Sequence, residues 1–361
     1  MTERERTERT QTARAETTRV REGLGVFAMD DRGLLVVRGS DRMRWLDGML
    51  TGDVKALEKR GVGSGCYALL LTHRGAIVAD LHVAYMGETL LLECQKSEID
   101  RIRAVLDKRI IADDVTLADE SGELAVLGIE GARSGDVLAR ALALAALPRV
   151  DAWAEASLAG APVLIAAFGS SGAQAYQLRV VPALVGALRG AVEQAAASLG
   201  VDCVSGDRAL LEVLRVEAGI PALGAELDED VLPPEARLER AIAVNKGCYV
   251  GQEIVARLRS RGQVNHLLVG LRLDTSALPA VGTALSAAGK ATGEVTSVAT
   301  SPTEGKIALA FVRREHSEVG TRLELAGGSA RVAALPFLVG SASSVAGVGP
   351  ARGSGPDPSS A

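Results

Sequence analysis

The segment Lys246–Glu253, with the sequence KGCYVGQE, combines residue types that can make a cysteine reactive. Cys248 follows one glycine and precedes Gly251, so the backbone can bend and a partner molecule can approach. A nearby cation such as Lys246, or the N-terminus of a helix, lowers the pKa of a thiol from about 8.5. The sequence GQEIVARLRSRG is typical of a helix that starts near Gly251, with Glu253 in its first turn. The alternative is that Cys248 is a small apolar side chain buried beneath a turn.

A second candidate is Asp80, which interrupts an apolar strand. In GAIVADLHVAY, the alternation of a strand places one set of residues on a common face: Ile77, Ala79, Leu81, Val83 and Tyr85. The opposite face receives Val78, Asp80 and His82. Asp80 is therefore either exposed on a half-buried sheet, or it lines a cavity where it could hold a cationic amine or transfer a proton.

Glu217 is the third candidate, because the Ala-Gly-Ile-Pro sequence that follows it cannot continue a helix. The resulting turn could fix the carboxylate in the wall of a cleft. Its two oxygens match the adjacent N–H donors of an amino-pyrimidinone ring, such as that of a pterin. An ion pair between Glu217 and Arg215 or another basic residue is the alternative.

Basic residues cluster around the motif, where Arg257, Arg259 and Arg261 follow Lys246. Such a cluster is either a solvated helix face or a site for anions, such as phosphates or the glutamate carboxylates of a folate tail. The chain has four histidines, and their spacing does not fit a set of metal ligands, so we predict no metal site.

The composition limits the class of protein. The net charge of −5 gives no general attraction to nucleic acid or to an anionic membrane, and no apolar run approaches the roughly 20 residues of a membrane span. The four cysteines are far apart and form no C-x-x-C pair, which argues against disulfides and structural zinc. No secretory signal is evident, and we expect a cytoplasmic protein.

The pattern of predicted elements divides the chain into five parts. Residues 1–22 and 339–361 are expected to be disordered, because the first is rich in Glu and Arg and the second in Gly, Ser and Pro. Residues 23–120 form a first α+β lobe with a meander of strands, and residues 121–262 form a second lobe together with the motif loop. Residues 263–338 contain short strands separated by glycine turns, which is typical of a small β-barrel. Either lobe could be discontinuous in sequence.

The motif and its surroundings resemble a known family. KGCYVGQE matches every position of the K-G-C-[FY]-x-G-Q-E signature of the YgfZ family, whose members bind folate and are related to the glycine-cleavage T-protein, an aminomethyltransferase. The likeness extends over about residues 25–335 and includes the following segments: LRVEAGIPALGAELDEDVLPPEARLERAIAVN before the motif, GEVTSVATSPTEGKIALAFV in the predicted barrel, and GSDRMRWLDGMLTGDV and THRGAIVADLHV in the first lobe.

This resemblance implies three domains in a ring around a channel that binds tetrahydrofolate, with Cys248 as the motif cysteine. Asp80 aligns with a carboxylate that the T-protein uses near the reactive nitrogens of folate, and Glu217 with a glutamate held against the pterin. Pro234 stands where the resemblance predicts glutamine, while Glu235 is retained. The expected site therefore contains Cys248 and Asp80 as catalytic residues, and a folate-binding set made of Glu217, Asp80, Lys246, Tyr249, Gln252 and Arg257.

Three functions follow as hypotheses. The first is a folate-dependent accessory protein for iron–sulfur cluster assembly or repair, acting through Cys248, with cluster proteins or their assembly factors as partners and an effect on tRNA-modifying methylthiotransferases. The alternative is a tetrahydrofolate-dependent aminomethyl- or methyltransferase of the T-protein type, with Asp80 as the acting group and Cys248 incidental. The third is an RNA-binding scaffold, against which the acidic charge and scarce aromatic residues argue.

Overall fold

The computed structural model describes residues 15–338. The helices are α1 (residues 15–22), α2 (Arg42–Met49), α3 (Lys55–Arg60), α4 (Ile99–Asp107), α5 (Ser134–Ala141), α6 (Val185–Ser198), α7 (Arg208–Ala218) and α8 (Gln252–Arg261). The first strands are β1 (Leu24–Ala28), β2 (Arg32–Arg38), β3 (Gly65–Leu71), β4 (Ile77–Tyr85), β5 (Leu90–Gln95), β6 (Thr116–Asp119), β7 (Ala125–Glu130), β8 (Trp153–Leu158), β9 (Ala161–Ala166), β10 (Ala175–Val180) and β11 (Cys203–Gly206). The remaining strands are β12 (His266–Thr275), β13 (Ala284–Ala287), β14 (Lys290–Ser301), β15 (Gly305–Arg313), β16 (Arg322–Leu325) and β17 (Gly328–Ala333).

Two sheets form the two lobes. Sheet I has the strand order β3-β4-β5-β2-β6, and sheet II has the order β11-β1-β7-β10-β9-β8. Helices α2, α3 and α4 bury their apolar side chains on one face of sheet I, while α5 and α6 cover sheet II. Each sheet therefore has one face covered by helices, which confirms the predicted α+β class.

The lobes are discontinuous, because β1 joins the sheet of the second lobe. This strand pairs in parallel with β11 and antiparallel with β7, so its partners come from the chain after residue 120. A boundary at residue 120 is therefore wrong for β1. The apolar sequence LGVFA predicts a buried strand, but partners so distant in sequence cannot be identified from local pattern.

The start of the described chain is ordered rather than disordered. Residues 15–22 form α1, in which Val20 is fully buried and packs with Phe27 and Leu214. Arg21 forms an ion pair with Glu217 of α7. The prediction of disorder is wrong for residues 15–22, and its remainder, like the prediction for residues 339–361, lies outside the described residues.

The last domain is a closed barrel with the strand order β12-β15-β14-β13-β16-β17, in which β17 returns to pair with β12. The interior is apolar, with Val269, Leu271 and Val295 among its buried side chains. A buried group on α7, the Arg215 guanidinium, donates a hydrogen bond of 2.7 Å to Ser297 Oγ on β14. This contact joins the barrel to the helix that follows sheet II, and the predicted carboxy-terminal barrel is confirmed.

The uncovered faces of the two sheets meet each other. Leu34, Val36 and Leu91 of sheet I pack against Trp153, the first residue of β8, and against Phe168, which follows β9. Within β4, a bulge lies opposite Leu70 and Leu71, so that both Val78 and Ala79 join the helix-covered core and the predicted alternation is shifted at the start of the strand. From Ala79 onward the alternation is as predicted, and Asp80 and His82 face the junction between the sheets.

Within residues 15–338, no helix is both long and apolar enough to cross a membrane. The same residues contain no group of three or more His, Cys, Asp or Glu side chains placed to hold a metal ion.

Candidate active site

A cavity of about 540 Å³ lies at the junction of the sheets. Sheet I contributes Arg32, Tyr67, Asp80 and His82, all of which line its wall. The opposite wall comes from sheet II and its loops and includes the following residues: Asp151, Phe168, Ser170, Tyr176 and Gln177. The segment after α7, from Ile220 to Leu223, closes a further side, and Arg240 lies on the rim.

Asp80 occupies this cavity rather than an open sheet face. Its carboxylate is half-buried, and the Tyr67 hydroxyl donates a hydrogen bond of 3.1 Å to Oδ2. Burial, followed by the charge of Asp80, raises the pKa of Tyr67 well above its ordinary value, so this phenol remains a donor. No hydrogen bond from residues 15–338 is made to Asp80 Oδ1 under ordinary geometric limits. The free oxygen is therefore the one that a cationic group in the cavity could meet.

His82 lies on the same face of β4, one alternate position beyond Asp80. Its ring stacks on Phe168 with a centroid separation of 3.6 Å and an interplanar angle of 3°. His82 Nδ1 is 3.4 Å from Asp151 Oδ1, and both atoms are buried without a hydrogen-bond partner, since this contact is close but not aligned as a hydrogen bond. Burial raises the pKa of Asp151, but His82 and the more distant Arg240 outweigh it, so the net pKa is lowered.

A buried set of charges links the sheets next to the cavity, which Arg32 of this set lines. Glu93 is fully buried, and the Nη2 of Arg32 donates to its Oε2 at 2.8 Å. Arg179, on the sheet II side, lies 3.5 Å from the same carboxylate and stacks over Trp153. Burial acts against the charge of Glu93, yet the two arginines lower its pKa, while burial lowers the pKa of Arg179 to about 10. Gln177 accepts a hydrogen bond of 3.1 Å from Arg179 and lines the cavity.

The rim of the cavity carries positive charge. The Arg240 guanidinium lies 4.5 Å from the centroid of the Tyr67 ring, and Arg149 also lines the opening. Both side chains are exposed, and neither forms an ion pair with a carboxylate in residues 15–338. An anionic part of a ligand could therefore be held at the rim while its uncharged or cationic part lies deeper.

Glu217 lies outside this cavity. Its carboxylate is buried, with Oε2 in the ion pair with Arg21 and Oε1 without a hydrogen-bond partner. Arg215, the alternative ion-pair partner considered above, instead bonds to Glu212 and Glu226. The structure thus assigns Glu217 to the contact between α1 and α7. The helix turns at Gly219, and this turn directs Ile220 rather than Glu217 toward the cavity wall.

Lys246 of the motif bonds to the backbone at the end of α2 rather than to Cys248. Lys246 Nζ donates to the backbone oxygens of Asp47, Leu50 and Gly52 at 2.7, 2.9 and 2.6 Å. It also lies 3.2 Å from Asp47 Oδ1, and its side chain is 1% exposed. Burial lowers the pKa of Lys246, partly offset by Asp47. The expected role of the Lys246 ammonium group is to activate Cys248. In the structure it instead donates hydrogen bonds to carbonyl oxygens at the end of α2, where a helix leaves such groups unpaired.

The other motif residues lie beside the sheet I strands, outside the lining of the cavity. Cys248 is exposed, which excludes the buried alternative, but it does not line the cavity. Tyr249 is buried in an apolar cluster that also contains Tyr67, and burial raises its pKa. Gln252 begins α8 and Arg257 is exposed on that helix; the cavity lining includes neither. Four predicted folate-binding residues are therefore separated from Asp80: Glu217, Tyr249, Gln252 and Arg257, and Lys246 is engaged elsewhere.

Sequence reasoning missed Tyr67, Asp151 and Arg240. His82 had a usable signal, its alternate spacing from Asp80, but the search for metal-ligand spacing set it aside. Asp151 had none, because it belongs to a loop between α5 and β8 that reaches His82 only through the packing of the sheets. Its φ of +62° is a left-handed conformation that an aspartate tolerates better than most residues.

Comparison with known proteins agrees with this arrangement. The GCVT N-terminal domain family matches residues 3–246, and the glycine cleavage T-protein C-terminal barrel domain matches residues 267–338. The chain is 32% identical over 333 residues to an aminomethyltransferase of Saccharopolyspora erythraea, covering 90% of this chain and 89% of that one. It is 30% identical to the aminomethyltransferase of Bacillus subtilis, with 85% and 84% covered.

Among solved structures, the aminomethyltransferase T of the glycine cleavage system from Bartonella henselae superposes with a TM-score of 0.78 at 23% identity, covering 90% of this chain and 89% of that chain. This likeness shows the same three-domain fold. The matches support the T-protein relationship and do not specifically show the YgfZ branch. The chain belongs to the glycine-cleavage T-protein (aminomethyltransferase) family.

Proposed function

We propose that the protein is a tetrahydrofolate-dependent aminomethyl- or methyltransferase of the T-protein type. The observation that carries the proposal is Asp80, a half-buried carboxylate with one free oxygen, inside a cavity formed where the sheets meet. Membership of the aminomethyltransferase family supports the same conclusion. The iron–sulfur accessory role, which the motif favoured, becomes the second candidate.

The cavity fits a folate head group by size and by chemistry. Its volume of about 540 Å³ falls within the range of small-molecule sites, about 300–1,000 Å³. Flat rings at Tyr67 and Phe168 provide apolar walls, while Gln177 and Asp80 provide polar atoms that could meet the ring nitrogens. Arg240 and Arg149 at the rim match the carboxylates of a folate tail.

Tetrahydrofolate, when bound, would supply nitrogen atoms that accept a one-carbon unit. The residues of this chain would do the rest. Asp80 Oδ1 would hold the positive charge that develops on an amine, and the Tyr67 hydroxyl keeps Oδ2 fixed so that Oδ1 faces the cavity. Arg32 lies close enough for the charge of Asp80 to act on its guanidinium, so a cation also lies near this part of the cavity.

The proposal is tested by measuring tetrahydrofolate binding and one-carbon transfer from aminomethyl and methylamine donors, with wild type and Asp80→Asn. We expect Asp80→Asn to bind folate but to lose about 100-fold or more in kcat, because an amide cannot hold the developing charge. Asp100→Asn is the matched control, since Asp100 lies on α4 and its side chain is 88% exposed. Turnover that is equal in wild type and Asp80→Asn would overturn the proposal.

The second candidate rests on the exposed Cys248 in the YgfZ-like motif. A reachable thiol could act on an iron–sulfur protein, and the four free thiols also support the proposed cytoplasmic location. Complementation of a strain without its own YgfZ separates the candidates. Rescue by wild type but not by Cys248→Ala would favour the accessory role, and turnover by Cys248→Ala at the wild-type rate would favour the transferase.

A further inference from the structure

His82 and Asp151 form a partly buried pair that neither the motif nor the proposed role of Asp80 requires. The two residues come from different lobes, β4 of sheet I and the loop before β8 of sheet II. Nδ1 and Oδ1 are 3.4 Å apart, and each is a buried polar atom without a hydrogen-bond partner, so each is the nearest group that could satisfy the other. A carboxylate on one imidazole nitrogen orients the ring and leaves the other nitrogen free to exchange a proton.

The ring is held in a fixed plane. Phe168 lies parallel to it on one side, and Tyr67 lies tilted on another side at a centroid distance of 4.9 Å. With Nδ1 directed at Asp151, the nitrogen of His82 that remains available in the cavity is Nε2. Asp80 projects from the same face of the same strand, so His82 and Asp80 are neighbours in the cavity wall.

Charged and titratable groups face the imidazole from every packed element. Asp80 comes from β4 itself, Tyr67 from β3, Glu93 from the facing position on β5, and Asp151 from the loop before β8. Cationic groups lie one step further out, namely Arg32 and Arg179 on Glu93 and Arg240 over Tyr67. The site therefore holds both carboxylates that stabilise an imidazolium and cations paired with them.

We infer that His82, oriented by Asp151, is a second functional group of the cavity and carries a proton between the reacting atoms while Asp80 holds positive charge. This inference rests on the proposed one-carbon transfer and assigns its proton transfer and its charge stabilisation to two different residues. Asp151 acts through His82 and is a positioning residue.

The chemistry balances without another reactant. In transfer of a one-carbon unit from an amine donor, the bond between carbon and the departing nitrogen breaks, and its electron pair stays on that nitrogen. The accepting nitrogen forms the new bond with its own lone pair and gives up one proton. His82 Nε2 takes this proton, which converts the imidazole to an imidazolium, and then gives it to the departing nitrogen, which restores the neutral imidazole.

The first test compares His82→Gln with wild type in folate binding, kcat and the pH dependence of kcat. We expect unchanged folate affinity, a fall in kcat of about 100-fold, and loss of one limb of the pH profile, because a glutamine does not titrate. Asp151→Asn should keep the imidazole but lower kcat about tenfold, since the imidazolium loses its counter-charge. The matched control is His316→Gln, in which a histidine outside the cavity also loses an Nδ1 hydrogen bond, here to Thr292.

The second test needs no turnover. Nitrogen-15 labelling of histidine gives a sparse spectrum, because the chain has four histidines. The signal lost in His82→Gln identifies His82, and we expect its neutral ring to carry the proton on Nδ1, facing Asp151.

Three outcomes would overturn the inference: a neutral His82 ring protonated on Nε2; a His82→Gln variant with the wild-type rate and pH profile; or a His82→Gln variant whose loss of activity is explained entirely by lost folate binding or lost stability. Failure of the proposed function has a different signature, because wild type itself would then show no folate-dependent transfer, and the inference would fall with it.

Discussion

The motif loop and the cavity use their polar residues in opposite ways. In the motif loop, the Lys246 ammonium group donates to three backbone carbonyls and pairs with Asp47, so it has no donor left for a ligand. In the cavity, Asp80 keeps a free oxygen, and the facing atoms of His82 and Asp151 are buried without a hydrogen-bond partner. The comparison shows that a distinctive sequence motif can serve mainly to hold neighbouring strands in place. The groups that are available for chemistry lie instead on β4, whose sequence is ordinary apart from Asp80 and His82.

The two regions are nevertheless connected through β3 and β4. Tyr249 of the motif shares an apolar cluster with Tyr67, the partner of Asp80. Gly251, at φ +83°, brings the motif backbone against Thr72 and Gly75 in the turn between these strands, where a side chain would clash. The motif therefore packs against the two strands that hold the cavity residues.

The largest effect on stability is expected for Lys246→Met. The methionine fills a similar volume but leaves Asp47 and three backbone oxygens without their donor, at a cost of about 3–5 kcal/mol in the free energy of unfolding. Urea denaturation measures this cost, with Lys59→Met on the exposed part of α3 as the control. A change below about 1 kcal/mol would mean that the lysine is not a support, and would restore it as a candidate partner of Cys248.

Acidification should weaken the junction of the sheets through Glu93. The folded pKa of Glu93 lies below its ordinary value because of Arg32 and Arg179, despite the opposing effect of burial. Its ionised form therefore stabilises the fold above the unfolded pKa of about 4.3, and that contribution is lost as the pH falls through the lower folded pKa. Thermal unfolding between about pH 3 and pH 7 should show this loss in wild type and a flatter dependence in Glu93→Gln. Parallel curves for the two proteins would contradict the assignment.

Tyr67→Phe should have an intermediate effect that is confined to the cavity. The phenylalanine keeps the ring beside His82 and Arg240 but removes the hydroxyl that fixes Asp80 Oδ2. A hydrogen bond to a charged group contributes about 1.5–3 kcal/mol, so we expect kcat to fall by roughly tenfold or more with little change in folate affinity. Steady-state kinetics together with a binding titration separates the two quantities. A variant that binds folate poorly but keeps its kcat would place Tyr67 in ligand binding alone.

The smallest effect is expected for Cys248→Ser. The Cys248 side chain is exposed and does not line the cavity, so the free energy of unfolding should change by less than about 0.5 kcal/mol. An effect of that size changes a rate by roughly twofold, so folate-dependent turnover should stay within about twofold of wild type. Chemical denaturation and a turnover assay on the same preparation measure both. A large loss of turnover would break the contrast drawn between the two regions.

Local pattern predicted much of the fold. Leu188 and Val192 recur at helical spacing and are buried in α6, and Gly200, at φ +62°, follows the end of that helix as a glycine commonly does. The alternation through Leu81 and Val83 correctly placed Asp80 on the face away from the helices. It failed at Val78, because a bulge depends on the partner strand, which the sequence of β4 does not describe.

The candidate site was predicted in part, for a similar reason. Asp80 could be found from one strand, since a carboxylate opposite an apolar face is visible in the sequence itself. Asp151 could not be found, because its pairing with His82 requires two sheets to pack face to face. The ion pair of Glu217 with Arg21 could not be predicted either, because Arg21 belongs to α1, whose position depends on its packing against β1 and α7.

The sequence by itself determined the succession of strands and helices, the barrel and the position of Asp80 within its strand, because these follow from periodicity and turn residues within short segments. The tertiary structure alone decided that Lys246 is saturated, that Glu217 lies outside the cavity and that His82 meets Asp151. Those outcomes depend on which surfaces remain uncovered after the helices have packed, and that is a property of the whole chain.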